Sequence, residues 1–264
     1  MSDFFYFLIY YVFGYRKKVV YENLKNSFPE KSHDELKLIE KKFYHYLCDL
    51  CLQIIKMLTI SKEKMQERCT LTPKTIALFE KLNQEKKSAV VVTGHFGNWE
   101  WACNSFSVMC QQRMYIIYHP LTNQHFDKLM MKMRSRFGNG LYPMQNTVRE
   151  MVKNRNEVTA TAFAADQTPP PETAYWTTFL NQDTPVFWGT EKIAQKFNYP
   201  VVYVTIRLVI RGYYEVDAEL VYDDPKSTKE GEITEMHTRR LEEDIRRQPE
   251  IWLWSHRRWK HKRK

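Results

Sequence analysis

The chain has 264 residues, enough to bury a sizeable core as one large domain, and a formal net charge of +9. That excess of Lys and Arg argues against a cationic partner and for an anionic one: nucleic acid, acidic lipid headgroups or an acidic protein. Aromatic residues make up 14% of the chain, and side chains that are apolar at one end and polar at the other suit a membrane surface better than a nucleic acid.

Five cysteines (Cys48, Cys51, Cys69, Cys103, Cys110) form an odd set. Cys48 and Cys51 have CxxC spacing, but no second pair and no His pair stands at zinc-finger distance. They fall within a helical apolar pattern, as small buried thiols, and a reducing, cytoplasm-facing environment follows.

In chain order, Phe4 to Phe13 is an unbroken apolar and aromatic run, stopped by Gly14 and then Arg16, Lys17 and Lys18. As a helix it reaches roughly 15 Å, about half a bilayer core. No small-residue cleavage site follows, so a secretory signal is not expected. Residues 1–20 are read as a membrane-associating segment, either lying at the interface or ending a longer anchor, with one domain over 21–264. An ordinary buried first helix is the alternative.

Residues 32 to 58 read as one helix, opened by a Ser32–Glu35 capping box, with Leu36, Ile39, Phe43, Leu47, Leu50, Ile54 and Met57 on one face. A second starts at Thr72-Pro73. After Lys87 strands and helices alternate. Ala89 to Thr93 is a buried strand, and a helix follows from about Trp99. Met114 to His119 is a strand, Asn123 to Phe137 a helix closed by Gly138, and Leu141 to Met144 a short extended stretch. Val158 to Ala165 is a small-residue strand ending at Asp166-Gln167. A Pro-rich loop and a helix from Thr190 to Phe197 come next. Pro200 to Ile210 and Tyr213 to Tyr222 form a hairpin, and Glu230 to Arg247 a polar helix. The pattern predicts an α/β fold, a mixed sheet flanked by helices, with a helical N-terminal section.

Gly94-His95-Phe96-Gly97-Asn98-Trp99-Glu100 is the sharpest feature. Strand ends that lead into helices are where α/β sheets build sites. Flanking glycines let a substrate approach the backbone. Asn98 can cap the next helix, placing Glu100 in its first turn. A turn between them would bring Glu100 to one ring nitrogen of His95 and leave the other free as a general base for a hydroxyl. A capped turn whose His merely hydrogen-bonds is the bland alternative.

His-x4-Glu after such a strand resembles the motif of the bacterial lysophospholipid acyltransferase superfamily, in particular the lauroyl/myristoyl acyltransferases that add secondary chains to lipid A. Further similar stretches are Tyr118-His119-Pro120-Leu121, Arg134-Ser135-Arg136-Phe137-Gly138, Asp166-Gln167, Trp188-Gly189-Thr190 and the long run from Pro249 to Lys260. The resemblance implies a glycerolphosphate acyltransferase-like fold over nearly the whole chain. It implies an acyl carrier protein or acyl-coenzyme A donor, and a hydroxyl acceptor on a phosphorylated, lipid A-type glycolipid. It also implies the cytoplasmic face of the bacterial inner membrane. The family usually carries an arginine where His119 stands, and a longer apolar anchor than Phe4 to Phe13.

Other positions take roles on physical grounds. Arg134 and Arg136, two apart near a helix end, project differently, and one can face the site to neutralise an oxyanion, phosphate or carboxylate. A solvated charged face is the other reading. Asp166-Gln167 is a site edge or a simple turn. Trp252, Trp254 and Trp259, with six Lys/Arg residues from Arg257 to Lys264, fit phosphate binding at an interface, with Arg257 and Arg258 as headgroup contacts. A disordered basic tail would be the plainer account. No His spacing makes a metal site, and no metal, cofactor or nucleic acid is expected. Two rivals stay open: acylation of another lysophospholipid, aminolipid or glycolipid, and a non-catalytic basic protein that binds membrane or nucleic acid.

Overall fold

A computed structural model of the protein describes residues 1–263. The N-terminal section is helical. Helix α1 (Ser2–Phe7) runs into a π-helical stretch over Leu8–Val12, and the chain breaks at Gly14, in the left-handed region at φ 58°. Helices α2 (Lys17–Ser27) and α3 (His33–Lys56) follow. The capping box forms as expected: the Ser32 hydroxyl accepts from Glu35 N, and the Glu35 carboxylate accepts from Ser32 N at 2.8 Å. Short helix α4 (Lys62–Arg68), strand β1 (Cys69–Leu71) and helix α5 (Pro73–Gln84) lead to the sheet, with Thr72 capping α5. Cys48 is buried as expected, but Cys51 is exposed, because three residues along a helix is not quite a full turn.

The remaining elements are β2 (Ala89–Thr93), α6 (Trp99–Met109), β3 (Arg113–Tyr118), α7 (Gln124–Ser135), β4 (Gly140–Pro143), α8 (Thr147–Lys153) and β5 (Thr159–Ala164). Then come β6 (Tyr175–Phe179), β7 (Gln182–Val186), α9 (Gly189–Phe197), β8 (Val201–Ile210), β9 (Tyr213–Tyr222) and α10 (Glu232–Arg247). One mixed sheet of seven strands runs β1-β9-β8-β2-β5-β3-β4, in which only β8 and β9 pair antiparallel. The small β6–β7 hairpin stands apart. Both sheet faces are covered, which is why β2 reads as a continuous apolar run instead of an alternating one. Ala89 and Val91 point to the face packed by α5 and α6; Val90 and Val92 point to the face that holds Ala194 of α9 and Ile233 of α10.

The first part of the expected interfacial tail, Trp252 to Ser255, is core. Trp252 and Trp254 are 2% and 0% exposed, and they pack among Phe28, Phe43 and Phe179. After α10 the chain folds back against α2, where Asn23 donates to the carbonyls of Trp254 (2.9 Å) and His256 (3.0 Å), and Arg16 donates to that of Ser255 (2.9 Å). A Trp-rich stretch satisfies its backbone this way instead of presenting it to a lipid surface. Lys264 lies outside the described residues. Residues 1–20 belong to the same core through Tyr6, Tyr10 and Val20, yet Phe4, Phe7, Tyr11 and Phe13 stay exposed.

Candidate active site

Strands β2 and β5 are parallel neighbours, with Thr93 level with Ala164. Their C-terminal ends therefore deliver Gly94-His95 and Ala165-Asp166 side by side, at the sheet edge where α/β folds bind ligands. The Asp166 carboxylate accepts three N–H groups: His95 Nδ1 at 2.6 Å on Oδ1, and the His95 backbone N and the Trp252 indole, each at 2.8 Å, on Oδ2. Two glycines make room for this. A Cβ on Gly94 would lie 2.7 Å from Leu241 and 3.1 Å from Asp166 Oδ2; one on Gly97, at φ 59°, would lie 2.6 Å from Ile206. Phe96 bridges to Trp252 and Gly97 N donates to Ile251 O, so the segment after α10 holds the turn from behind.

Burial pushes the Asp166 carboxyl upward, but the His95 charge and the three hydrogen bonds outweigh it and hold the group down at about 2. At neutral pH Asp166 is a carboxylate, which only accepts, so the proton in their contact sits on His95 Nδ1, and in the neutral ring the lone pair is on Nε2. That nitrogen faces Gln167 Nε2 at 3.2 Å, whose amide N–H donates to it. The Trp99 ring meets the imidazole edge to face, with centroids 4.9 Å apart. The imidazole is oriented and partly exposed, with its far side anchored in the core, an arrangement able to act as a general base.

Glu100 does not take the part expected of it. Asn98 caps α6 as anticipated, accepting from Trp101 N at 3.0 Å. The buried Glu100 carboxylate, however, receives the Arg134 guanidinium, with Nε at 2.9 and 3.1 Å and Nη2 at 2.5 Å. Glu100, on α6, thus meets Arg134 of α7, whereas Asp166 meets His95 Nδ1. The five-residue spacing that suggested a dyad instead ties α6 to α7. Asn139 extends this brace, donating to Arg134 O at 2.7 Å and Asn104 Oδ1 at 2.9 Å. Arg136 points elsewhere, donating to Met57 O at the end of α3 at 2.7 Å and lying over the Phe137 ring. His119 is exposed and bonds to Pro120 O.

The two C-terminal arginines also part company. Arg258 is 1% exposed and cannot reach a headgroup in solvent. Arg257 is exposed and lines a broad groove of about 1370 Å³ between α2 and the end of the chain. Lys18, Lys25, Lys31, Lys260, Lys262 and Arg263 share its walls, against only Glu22 and Asp183. Trp259 forms one side, and through Phe179 it is in aromatic contact with Trp252, the residue that holds Asp166. The candidate site residue that sequence reasoning undervalued is Asp166. Its one signal was a carboxylate at a strand end, and nothing local ties that position to a histidine 71 residues earlier.

Among the described residues, no helix is long and apolar enough to cross a membrane. A search of curated proteins returns no significant match. The family model for bacterial lipid A biosynthesis acyltransferases matches residues 4–261, which takes in both strand ends, the α6–α7 brace and the buried tail. The chain thus belongs to the bacterial lipid A biosynthesis acyltransferase family, and is an acyltransferase.

Proposed function

We propose that the protein transfers a fatty acyl chain from a thioester, on an acyl carrier protein or coenzyme A, to a hydroxyl of a phosphorylated, lipid A-type glycolipid at the cytoplasmic face of the bacterial inner membrane. The observation that carries this reading is the fixed tautomer of His95. With Nδ1–H committed to Asp166, Nε2 is the only nitrogen able to take a proton from an incoming hydroxyl. The acceptor oxygen attacks the thioester carbonyl carbon as its proton passes to Nε2. The tetrahedral oxyanion then collapses, the C–S bond breaks, and the imidazolium returns the proton to the leaving thiolate. Asp166 stays ionised throughout and stabilises the imidazolium. Gln167 covers Nε2 at rest, so the hydroxyl displaces its amide, a side-chain donor that is then free to serve the oxyanion.

The headgroup falls to the basic groove, where Arg257 replaces the buried Arg258 as the expected phosphate contact. Arg257→Ala should raise the apparent KM for a phosphorylated acceptor about fivefold while kcat stays within about twofold, because remote contacts act equally on ground and transition states. For the dephosphorylated acceptor the change should matter little. Initial rates for both acceptors decide this; equal losses on the two remove the headgroup role and favour another lipid as acceptor.

Membrane contact is supported by the exposed aromatic face of the N-terminal helix and by Arg16, Lys17 and Lys18 beyond it. Because Tyr6 and Tyr10 are core, the segment cannot be deleted without damage. The exposed residues can be changed instead. Phe4→Ser, Phe7→Ser and Phe13→Ser together should weaken partitioning into anionic vesicles at least tenfold, since each ring that leaves water contributes on the order of 1 kcal/mol or more. Vesicle co-sedimentation at two salt concentrations measures it. Unchanged partitioning at both would assign the face to something other than lipid.

A further inference from the structure

Beside the dyad lies a small cavity of about 10 Å³, lined by Thr93, Asp166, His237, Thr238, Leu241 and Arg258 among others. Three buried nitrogens at its walls find no hydrogen-bond partner among the described residues: Arg258 Nε, Arg258 Nη1 and His237 Nε2. Buried polar groups almost always have a partner, and a buried guanidinium is among the most demanding of them. The backbone at Arg258 is held by its carbonyl, which accepts from Thr168 Oγ1 at 2.9 Å, and its side chain is 1% exposed. The cavity has the volume of about one water molecule and offers it the two to four polar partners a buried water needs.

We propose that this cavity is a one-water site, and that Arg258, held there through the water, is a positioning residue that balances the buried Asp166 carboxylate from the side opposite His95. The water accepts from the guanidinium and donates to Asp166 or to His237. The charges around it are consistent with this. Burial draws the Arg258 guanidinium down to about 10, with Asp166 opposing that effect. Burial holds His237 down at about 4, so it is neutral at pH 7 and its Nε2 can accept. The other titratable groups facing this cluster are His256, also held neutral by burial, with Glu191 behind His237 and Tyr203 behind Asp166. Arg258 is thus the one buried cation beside the dyad among the described residues. Without it, the Asp166 carboxylate would have His95 as its only cationic partner and would favour the imidazolium more strongly.

Two measurements on the full chain test this, and neither uses a donor or an acceptor, so they stand whether or not the acyl-transfer reading does. The first is a crystal structure of the wild-type protein at a resolution that shows ordered water. The expected result is one water within hydrogen-bond distance of Arg258 and of Asp166 or His237; a dry cavity overturns the proposal, and this arm needs no variant to fold. The second is an NMR titration of the dyad in protein with ring-labelled histidines, for wild type, Arg258→Gln and Arg258→Lys. Loss of the cation should move the dyad's proton uptake upward by roughly one pH unit in Arg258→Gln, and Arg258→Lys should restore it. An identical midpoint in wild type and folded Arg258→Gln overturns the charge-balancing role. If Arg258→Gln does not fold, Arg258→Lys still decides: a midpoint displaced despite the retained charge also counts against the proposal.

Discussion

Acyl transfer by His95→Ala should fall about 10²- to 10⁴-fold, the usual contribution of a positioned general base. The fold should survive, because Asp166 keeps two of its three donors, the Trp252 indole and the backbone N–H of residue 95. Thermal unfolding within a few degrees of wild type, together with the lost rate in a steady-state transfer assay, is the expected pair of results. Transfer within threefold of wild type by folded His95→Ala would mean that the acceptor hydroxyl finds another base.

Glu100→Ala should act first on stability. Glu100 is 4% exposed and takes a bidentate hydrogen-bonded contact from Arg134, so truncation leaves a partly buried cation, 21% exposed, without its partner. Breaking one side of a fully buried pair costs about 3–5 kcal/mol; with water reaching Arg134 the expected cost is about 2–3 kcal/mol, which for a domain of this size lowers the melting temperature by roughly 5–10 °C. Arg134→Ala should cost a similar amount, and the double variant less than the sum, since the two residues act on one contact. Urea or thermal unfolding of the three variants gives the cycle. An unchanged stability for Glu100→Ala alongside a collapsed rate would restore Glu100 as the direct orienter of His95.

The α/β fold was legible because its signals are local. The Ser32 and Thr72 caps, the run Ala89 to Thr93 and the turn at Arg211-Gly212 each predict their element from neighbouring residues. Less visible were the elements whose reason is distant. Strand β1 has three residues and exists because β9 pairs with it. The β6–β7 hairpin turns on Leu180-Asn181, both at positive φ, without the glycine that normally announces such a turn.

The site divides in the same way. His95 was legible from its glycines and its strand, whereas its partner was not, because a helix-borne Glu five residues on competes on spacing with a strand-borne Asp 71 residues on. Sheet register decides that contest, and register is a long-range property. The tail misled for a related reason: Trp next to Arg describes an interface and a buried cation beside aromatic walls equally well. Only packing separates Arg257, in the groove, from Arg258, beside the dyad.

The central claim is that Asp166, not Glu100, fixes His95 as the base, and single-turnover acyl transfer by folded Asp166→Asn tests it most directly. An Asn there presents one acceptor and one amide donor to three N–H groups, so it cannot hold the Nδ1–H tautomer as the carboxylate does. The account predicts a loss of about 10²- to 10⁴-fold, with the Asp166→Asn/His95→Ala double variant no worse than His95→Ala alone, as residues that act as a unit behave. Transfer by Asp166→Asn within threefold of wild type, or losses that multiply in the double variant, would contradict it.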